Sequence, residues 1–335
     1  MKPPAPLILV VGSSNTDMII RLDRIPQPGE TILGGAFSTA AGGKGANQAV
    51  GAARAGGSVT FIARVGRDMF GEQAVAGFVK DGINVEHIVR DAAAPSGVAL
   101  IFVAKDGENS IAVASGANGK LSSADVKKAV ALFSKVAVVV MQLETPLATV
   151  QATADLAAKA GVKVILNPAP ARPLPLKLLK RVSILTPNET EAELLTGIKV
   201  TDTASAATAT AKLRKLGVET VIITLGARGA FIADANGEQL VPGFKVKAVD
   251  TTAAGDIFNG ALAVALAEGR PLAAAVRFAN AAAALSVTKL GAQPSAPLRR
   301  DIENFLCATD YREVPQGLGN PRRQIRNHIP NKGIG

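Results

Sequence analysis

Tryptophan is missing from this chain, and aromatic residues make up only 4% of its 335 residues. A base-stacking platform for single-stranded nucleic acid is therefore not expected, and nucleic acid is excluded as a partner. The one cysteine, Cys307, has no mate for an internal disulfide, which fits a reducing, cytoplasmic setting. With only two histidines, His87 and His328, no Cys/His zinc quartet can form and a Ser-His-Asp triad is not expected. His328 falls in a loose C-terminal stretch, and His87 sits in an apolar, strand-like stretch and reads as structural. Apolar runs such as Leu7–Val11 and 136–141 are far too short to cross a bilayer, so no membrane partner is expected. Lys2 before an apolar stretch has a faint look of a secretory signal, but prolines precede the run and no small-residue cleavage site follows. The common phosphate-binding motifs are lacking too. Gly42-Gly43-Lys44-Gly45 has neither the Ser/Thr nor the glycine spacing of a P-loop, and no G-x-G-x-x-G opens a helix after a strand. Chemistry must rest on Asp, Glu, Asn, Lys and backbone amides.

What is present is a soluble globular composition, 48% hydrophobic and 19% charged, with a formal charge of +10. Basic residues run no longer than pairs such as Lys127-Lys128, Arg299-Arg300 and Arg322-Arg323, which argues against a nucleic-acid stripe. The charge is either a generally basic surface or an attraction for anionic substrates.

Strand-like apolar runs at Leu7–Val11, 59–65, 137–142, 162–166, 183–185 and Thr220–Thr224 alternate with helix-like stretches at 44–55, 71–81, 123–133, 146–160 and 204–216. Continuous apolar strands separated by helices predict a doubly wound, mostly parallel α/β sheet covered on both faces. Residues 16–22 with 31–37, and Gly97–Val103 with Asn109–Ala114 around a Lys105-Asp106-Gly107-Glu108 turn, break that rhythm. They predict a small separate β-sheet, a lid inserted at about 15–40 and 96–115 of a body covering 1–307. Its alternative is an edge extension of the main sheet. Residues 308–335 are basic, rich in Pro, Gly and Asn and without period, and read as a disordered tail.

Asp250-Thr251-Thr252-Ala253-Ala254-Gly255-Asp256 follows a strand-like run at 245–249 and precedes a helical run at 257–267. Small residues at a helix start leave its first N–H groups approachable, an anion hole at the positive end of the dipole. Asp256 at that mouth could take a proton from an attacking hydroxyl; it could equally be a plain N-cap. Ala41-Gly42-Gly43-Lys44-Gly45-Ala46-Asn47-Gln48 is a second glycine-rich helix entry, in which Lys44 and Asn47 could bind hydroxyls; a flexible turn with a solvated lysine is the alternative. Thr186-Pro187-Asn188-Glu189-Thr190-Glu191 starts a helix with Asn188 and Glu191 one turn apart, either around the water shell of Mg²⁺ or as a simple cap. Thr224-Leu225-Gly226-Ala227-Arg228-Gly229 ends a strand with a turn that could cover a nucleotide or be a plain hairpin turn.

The order of these motifs, beginning with Asn15-Thr16-Asp17, resembles the ribokinase-type (PfkB-type) carbohydrate kinase family over about 7–305. The resemblance implies transfer of a phosphoryl group from ATP to the 5-hydroxyl of ribose; a relative acting on deoxyribose, fructose or a nucleoside and, more remotely, a non-catalytic sugar-binding protein are the alternatives. It implies Asp256 as catalytic base and Ala253, Ala254 and Gly255 as anion hole. Asn15, Asp17, Gly43, Lys44, Asn47 and Glu144 match its sugar positions. Asn188, Thr224, Gly226, Gly229, Gly255 and Asn280 match its nucleotide positions, and Glu191 the residue that organises Mg²⁺ through water. Asp250, Thr252, Ser286, Lys289 (by its carbonyl), Gly291 and Ser295 match a loop pair that holds a monovalent cation, K⁺. Ile257 departs from the family's usual Thr or Ser and is expected to remove a hydroxyl beside the anion hole. A nucleoside pocket would need aromatic lid residues, for which Phe37 and Phe102 are the candidates. Apolar Ile20, Leu22, Leu33, Leu100 and Phe102 on so small a sheet predict a homodimer through the lid.

Overall fold

The computed structural model describes residues 7–313. In chain order its elements are β1 Leu7–Val11, β2 Asn15–Arg21, β3 Ala36–Gly42, α1 Lys44–Arg54, β4 Ser58–Gly66, α2 Met69–Lys80, β5 Ile88–Asp91, β6 Gly97–Val103, β7 Asn109–Ala114 and α3 Ser123–Lys128. Then follow β8 Val138–Met141, α4 Leu147–Lys159, β9 Lys163–Leu166, α5 Leu176–Leu179, β10 Ile184–Leu185, α6 Glu189–Thr196, α7 Thr203–Lys215 and β11 Thr220–Thr224. The chain closes with β12 Gly229–Asp234, β13 Gly237–Pro242, α8 Ala254–Ala267, α9 Leu272–Ser286 and α10 Arg299–Glu313.

Among the described residues the strands form two sheets. The larger has nine strands in the order β13-β12-β11-β10-β9-β8-β1-β4-β5, parallel throughout except where β12 pairs with β11 and β13. Its strands are apolar on both sides because both faces are covered. Ile8 and Val10 of β1 enter a core beneath α1, α8 and α9, while Leu9 and Val11 enter a second core beneath α4, α6 and α7. The order reverses at β1, whose neighbours are β4 on one side and β8 on the other, so a crevice opens at the carboxyl ends of these strands.

The smaller sheet, β3-β2-β6-β7, is separate, as its sequence rhythm predicts. It is mixed: β2 runs antiparallel to β3 but parallel to β6. The strand expected at 31–37 starts later, at Ala36, because Gly34 and Gly35 hold positive φ (104° and 93°) and carry the chain round a turn first. Leu22, one residue past β2, is buried, and Leu33 lies exposed in the loop before β3, so neither adds to an exposed face of the sheet.

Other boundaries differ as well. Residues 245–249 form no strand; Val249 N–H donates to the Val287 carbonyl at 2.7 Å. His87 lies in a turn before β5, half-buried. The helix expected at 123–133 ends at Lys128 and continues as a 3₁₀ turn. α10 runs through to Glu313, past the expected end of the body at 307, and the rest of the expected tail, with His328, lies outside the described residues, as does Lys2. No helix among the described residues is long and apolar enough to cross a membrane.

Candidate active site

The site is assembled where strand ends meet two helix starts. Helix α1 begins at Gly43, whose φ of 88° and approach to Asn15 N, 2.7 Å from where a Cβ would stand, leave room only for glycine. A Cβ on Gly42 would land on the Asp17 carboxylate. This packing seats Asn15, Asp17 and Lys44 around one corner. Glu144, just beyond β8, reaches the same corner and accepts from Lys44 N–H (2.9 Å) and Ser13 Oγ (2.5 Å). Asn15 Oδ1 is fixed by Asn118 Nδ2 at 2.7 Å.

Helix α8 begins at Ala253, the one non-glycine described residue with positive φ, 60°. An alanine held in the left-handed region costs about 1 kcal/mol. The strained turn exposes the first N–H groups of α8 to a cleft of about 160 Å³. Lys44, Asn188, Glu191, Thr224, Ala253, Ala254, Gly255 and Asp256 all border this cleft, together with Asn167, Thr186 and Asn259.

Asp256 is buried between the two corners. Its Oδ2 accepts from Asn47 Nδ2 (3.0 Å) and its Oδ1 from Gln48 Nε2 (2.9 Å). Both donors stand on α1, which packs closely against α8: a Cβ on Gly260 would lie 2.6 Å from Gln48 O and Ala52 N. Burial pushes the Asp256 carboxyl up, against the pull of Lys44 and the two amides. Burial also lifts Asp17, to about 6, helped by the negative charges of Glu144 and Asp256. Lys44 is pulled down by burial but is held above its ordinary value by Asp256, Glu144 and Glu191.

Asn188 and Glu191 form a reciprocal cap at the start of α6. Asn188 N and Nδ2 donate to Glu191 at 2.9 and 3.1 Å, and Glu191 N donates back at 2.8 Å. Capping and facing the cleft are therefore not alternatives here. Burial raises the Glu191 carboxyl, although the bond from Asn188 and the charge of Lys44 oppose it.

Asp250 joins two loops, accepting from Thr252 N (2.9 Å) and Gly291 N (2.8 Å). Burial would raise its carboxyl, but these bonds prevail and hold it below the usual range. Ser286 and Ser295 are buried with their hydroxyls on Ala283 and Ala292 carbonyls, and the Lys289 side chain is exposed. Gly226, Gly229 and Asn280 stand outside the lining of the cleft. Gly226 and Gly229 flank the turn from β11 into β12, and Asn280 donates to the carbonyls of Val241 and Pro242, tying α9 to β13. Ile257 is 1% exposed and packs on Gly51 of α1, so it belongs to the helix seam and not to the mouth of the anion hole. Gln48, Gln142, Asn167 and Asn259 went unassigned from sequence. The signal for Gln48 was its place beside Asn47 on a helix of small residues, and for Asn167 its place at the end of an apolar strand.

The chain matches the pfkB family of carbohydrate kinases over residues 5–299. It belongs to that family. It is 48% identical over 299 residues to a ribokinase of Haemophilus influenzae, covering 89% of this chain and 98% of the relative. It is 38% identical to a deoxyribokinase of Salmonella typhi, covering 90% and 99%. The solved structure of Arabidopsis thaliana ribokinase complexed with ribose and ATP superposes with a TM-score of 0.84 at 35% identity, covering 90% and 99%. This carbohydrate kinase thus shares its fold, over nearly its whole length, with a sugar- and nucleotide-bound relative.

Proposed function

We propose that this kinase transfers the γ-phosphoryl group of ATP to the 5-hydroxyl of D-ribose, giving ribose 5-phosphate and ADP. The observation that carries the reading is the position of Asp256: buried at the first turn of α8, between the corner of Asn15, Asp17 and Glu144 and the cleft lined by Ala253, Ala254 and Gly255. A base raised toward working pH takes the proton of the acceptor hydroxyl. The free N–H groups at the start of α8 stabilise charge on the transferred group, and Lys44 adds a positive charge at the same cleft. Asn15, Asp17, Asn47, Glu144 and the Gly43 amide bind sugar hydroxyls. Asn188, Thr224, Gly226, Gly229, Gly255 and Asn280 serve the nucleotide.

Among the described residues no three His, Cys, Asp or Glu cluster as a metal cage. Mg²⁺ would be held through water by Glu191, whose oxygens accept from Asn188 at the edge of the cleft. The ion supplies charge neutralisation on the phosphates. Asp250, whose carboxyl is held below its usual range where the two loops meet, would with carbonyls of those loops hold a K⁺ ion and so steady the turn before Ala253. The lid pairs with a second copy to give a homodimer, and the enzyme works in the cytoplasm.

Competing sugars separate on the lid. Strand register puts Phe37, Ile20 and Phe102 in one cross-strand row and Asp17, Ala40 and Ala99 in a row on the opposite face. Both aromatic candidates for a nucleoside base therefore face away from Asp17. A non-catalytic sugar binder would have no use for Asp256, Gly255, Asn188 and Glu191 at one cleft. For deoxyribose, a site that hydrogen-bonds the 2-hydroxyl rejects the analogue lacking it. The test is kcat/KM for ribose against 2-deoxyribose, fructose and nucleosides, with Mg²⁺ chelation and exchange of potassium for a large organic cation as further arms. Ribose is expected to lead 2-deoxyribose by at least about tenfold, with loss of activity on chelation and a strong drop without potassium. Equal values, or a preference for another acceptor, would overturn ribose.

A further inference from the structure

Asp256 does not set its own orientation. Of its two donors, Asn47 adjoins the sugar corner, but Gln48 is 0% exposed and has no path to a substrate. Gln48 Nε2 also donates to Asn167 Oδ1 (3.2 Å), and Gln48 Oε1 accepts from Gln142 Nε2 (2.6 Å). These partners permit one orientation of the Gln48 amide. Turned over, its oxygen would face Asp256 Oδ1 and Asn167 Oδ1, and its NH₂ would face that of Gln142. Asn167 cannot turn to relieve the conflict, because its own Nδ2 donates to the Thr186 carbonyl at 3.1 Å. Gln142 keeps its orientation although its Oε1 is buried without a partner. The chain of bonds continues from Thr186 Oγ1 to Asn259 Oδ1 (2.7 Å), and from Asn259 Nδ2 to Gly255 O (2.7 Å), back to the first turn of α8.

We propose that Gln48, locked by Gln142, is a positioning residue that holds the Asp256 carboxylate in the orientation needed to receive the acceptor proton. This rests on Asp256 being the base. A donor on a buried carboxylate favours its charged form, so removing it raises the carboxyl further and turns it out of line. The charged groups facing Asp256 are Lys44 of α1, Glu144 beyond β8, Asp17 of β2 and Glu191 of α6. All four stay in place in the variants below, so a shift between variants reports the amides.

The experiment compares wild type, Gln48→Met, Gln142→Met and Asp256→Asn. It reads kcat against pH at saturating ribose and MgATP, KM for ribose, and the thermal midpoint. For Gln48→Met, kcat should fall about 10- to 100-fold with little change in KM, and the acid limb of the profile should move up by about one pH unit. Gln142→Met should move it the same way by less. A merely structural glutamine would lower the thermal midpoint and leave the acid limb unmoved. A folded Gln48→Met enzyme with the wild-type limb and kcat, beside an inactive Asp256→Asn, would overturn the positioning role alone. An active Asp256→Asn would overturn both the base and its positioning. Should Gln48→Met fail to fold, Gln142→Met decides: a wild-type profile there rejects the proposal.

Discussion

Asp17 costs the fold something. Its carboxyl is lifted from 3.8 to about 6, first by burial and then by Glu144 and Asp256. Below about pH 4 both folded and unfolded chains carry it protonated and it costs nothing. Between about 4 and about 6 the unfolded chain ionises first, the native state binds more protons, and stability falls as pH rises. Above about 6 the whole cost is present, on the order of 3 kcal/mol. Asp17→Asn is therefore expected to be more stable than wild type at pH 7.5, by a margin that shrinks toward pH 4, and to bind ribose more weakly. Urea unfolding across that range checks it; a margin independent of pH would remove the ionisation as the cause. Asp256 was legible as a candidate because a carboxylate at a small-residue helix start is itself the chemistry, whereas Asp17 came only through the resemblance to the family. Gln48 closes a third motif, the helix entry at 41–48, where nothing in its residue type marks a role. Its role depends on which way an amide faces, and that is settled by Gln142 and Asn167, 94 and 119 residues away in the chain.

Between elements, the seam of α1 and α8 matters most. Gly51 and Gly260 remove side chains where the helices cross, and Ile257 fills the space beside Gly51. That closeness lets two consecutive amides on α1 straddle a carboxylate on α8. A methyl at Gly260 would meet Gln48 O and Ala52 N at 2.6 Å, so Gly260→Ala must push the helices apart. The expected result is a loss of about 1–3 kcal/mol in stability, with kcat falling more than ribose binding. Chemical denaturation and steady-state kinetics read the two effects, and unchanged kcat would mean the seam does not govern the site. The strands of the sheet centre were legible because they are apolar on both faces. Strands β12 and β13 escaped because the edge strand β13 is mostly exposed and polar, and the apolar run of β12 at 230–233 is short and follows a glycine-containing turn. The run at 245–249 has strand-like residues but no neighbour left to pair with, and α10 hides behind a polar composition of mixed charge.

On the scale of the whole molecule, the lid leaves an apolar face uncovered. Phe37 is 67% exposed and Leu100 47%, and the register sets both on the face opposite Asp17, with Ile20, Phe102 and Met18. A partner lid laid on this face would bury it in a homodimer. Light scattering should give a dimer for wild type and a monomer for Leu100→Glu. A wild-type monomer at working concentration would leave the face without that explanation. The sheet rhythm made both layers readable in outline, yet β3 began later than expected because its boundary is drawn by Gly34 and Gly35.

The bonds from Asn47 and Gln48 to Asp256 span 209 and 208 residues of chain. On the ribosome, α1 is therefore made long before the helix that covers it. Until α8 emerges, the apolar side of α1 and that face of β1 and β4 have nothing to lie against, and a nascent chain of this length is a ready substrate for chaperones. Contacts closed over such distances also make folding slow. The nascent chain makes Asn15, Asp17 and Lys44 early and Asp256 late, so a product interrupted before α8 lacks the base proposed above.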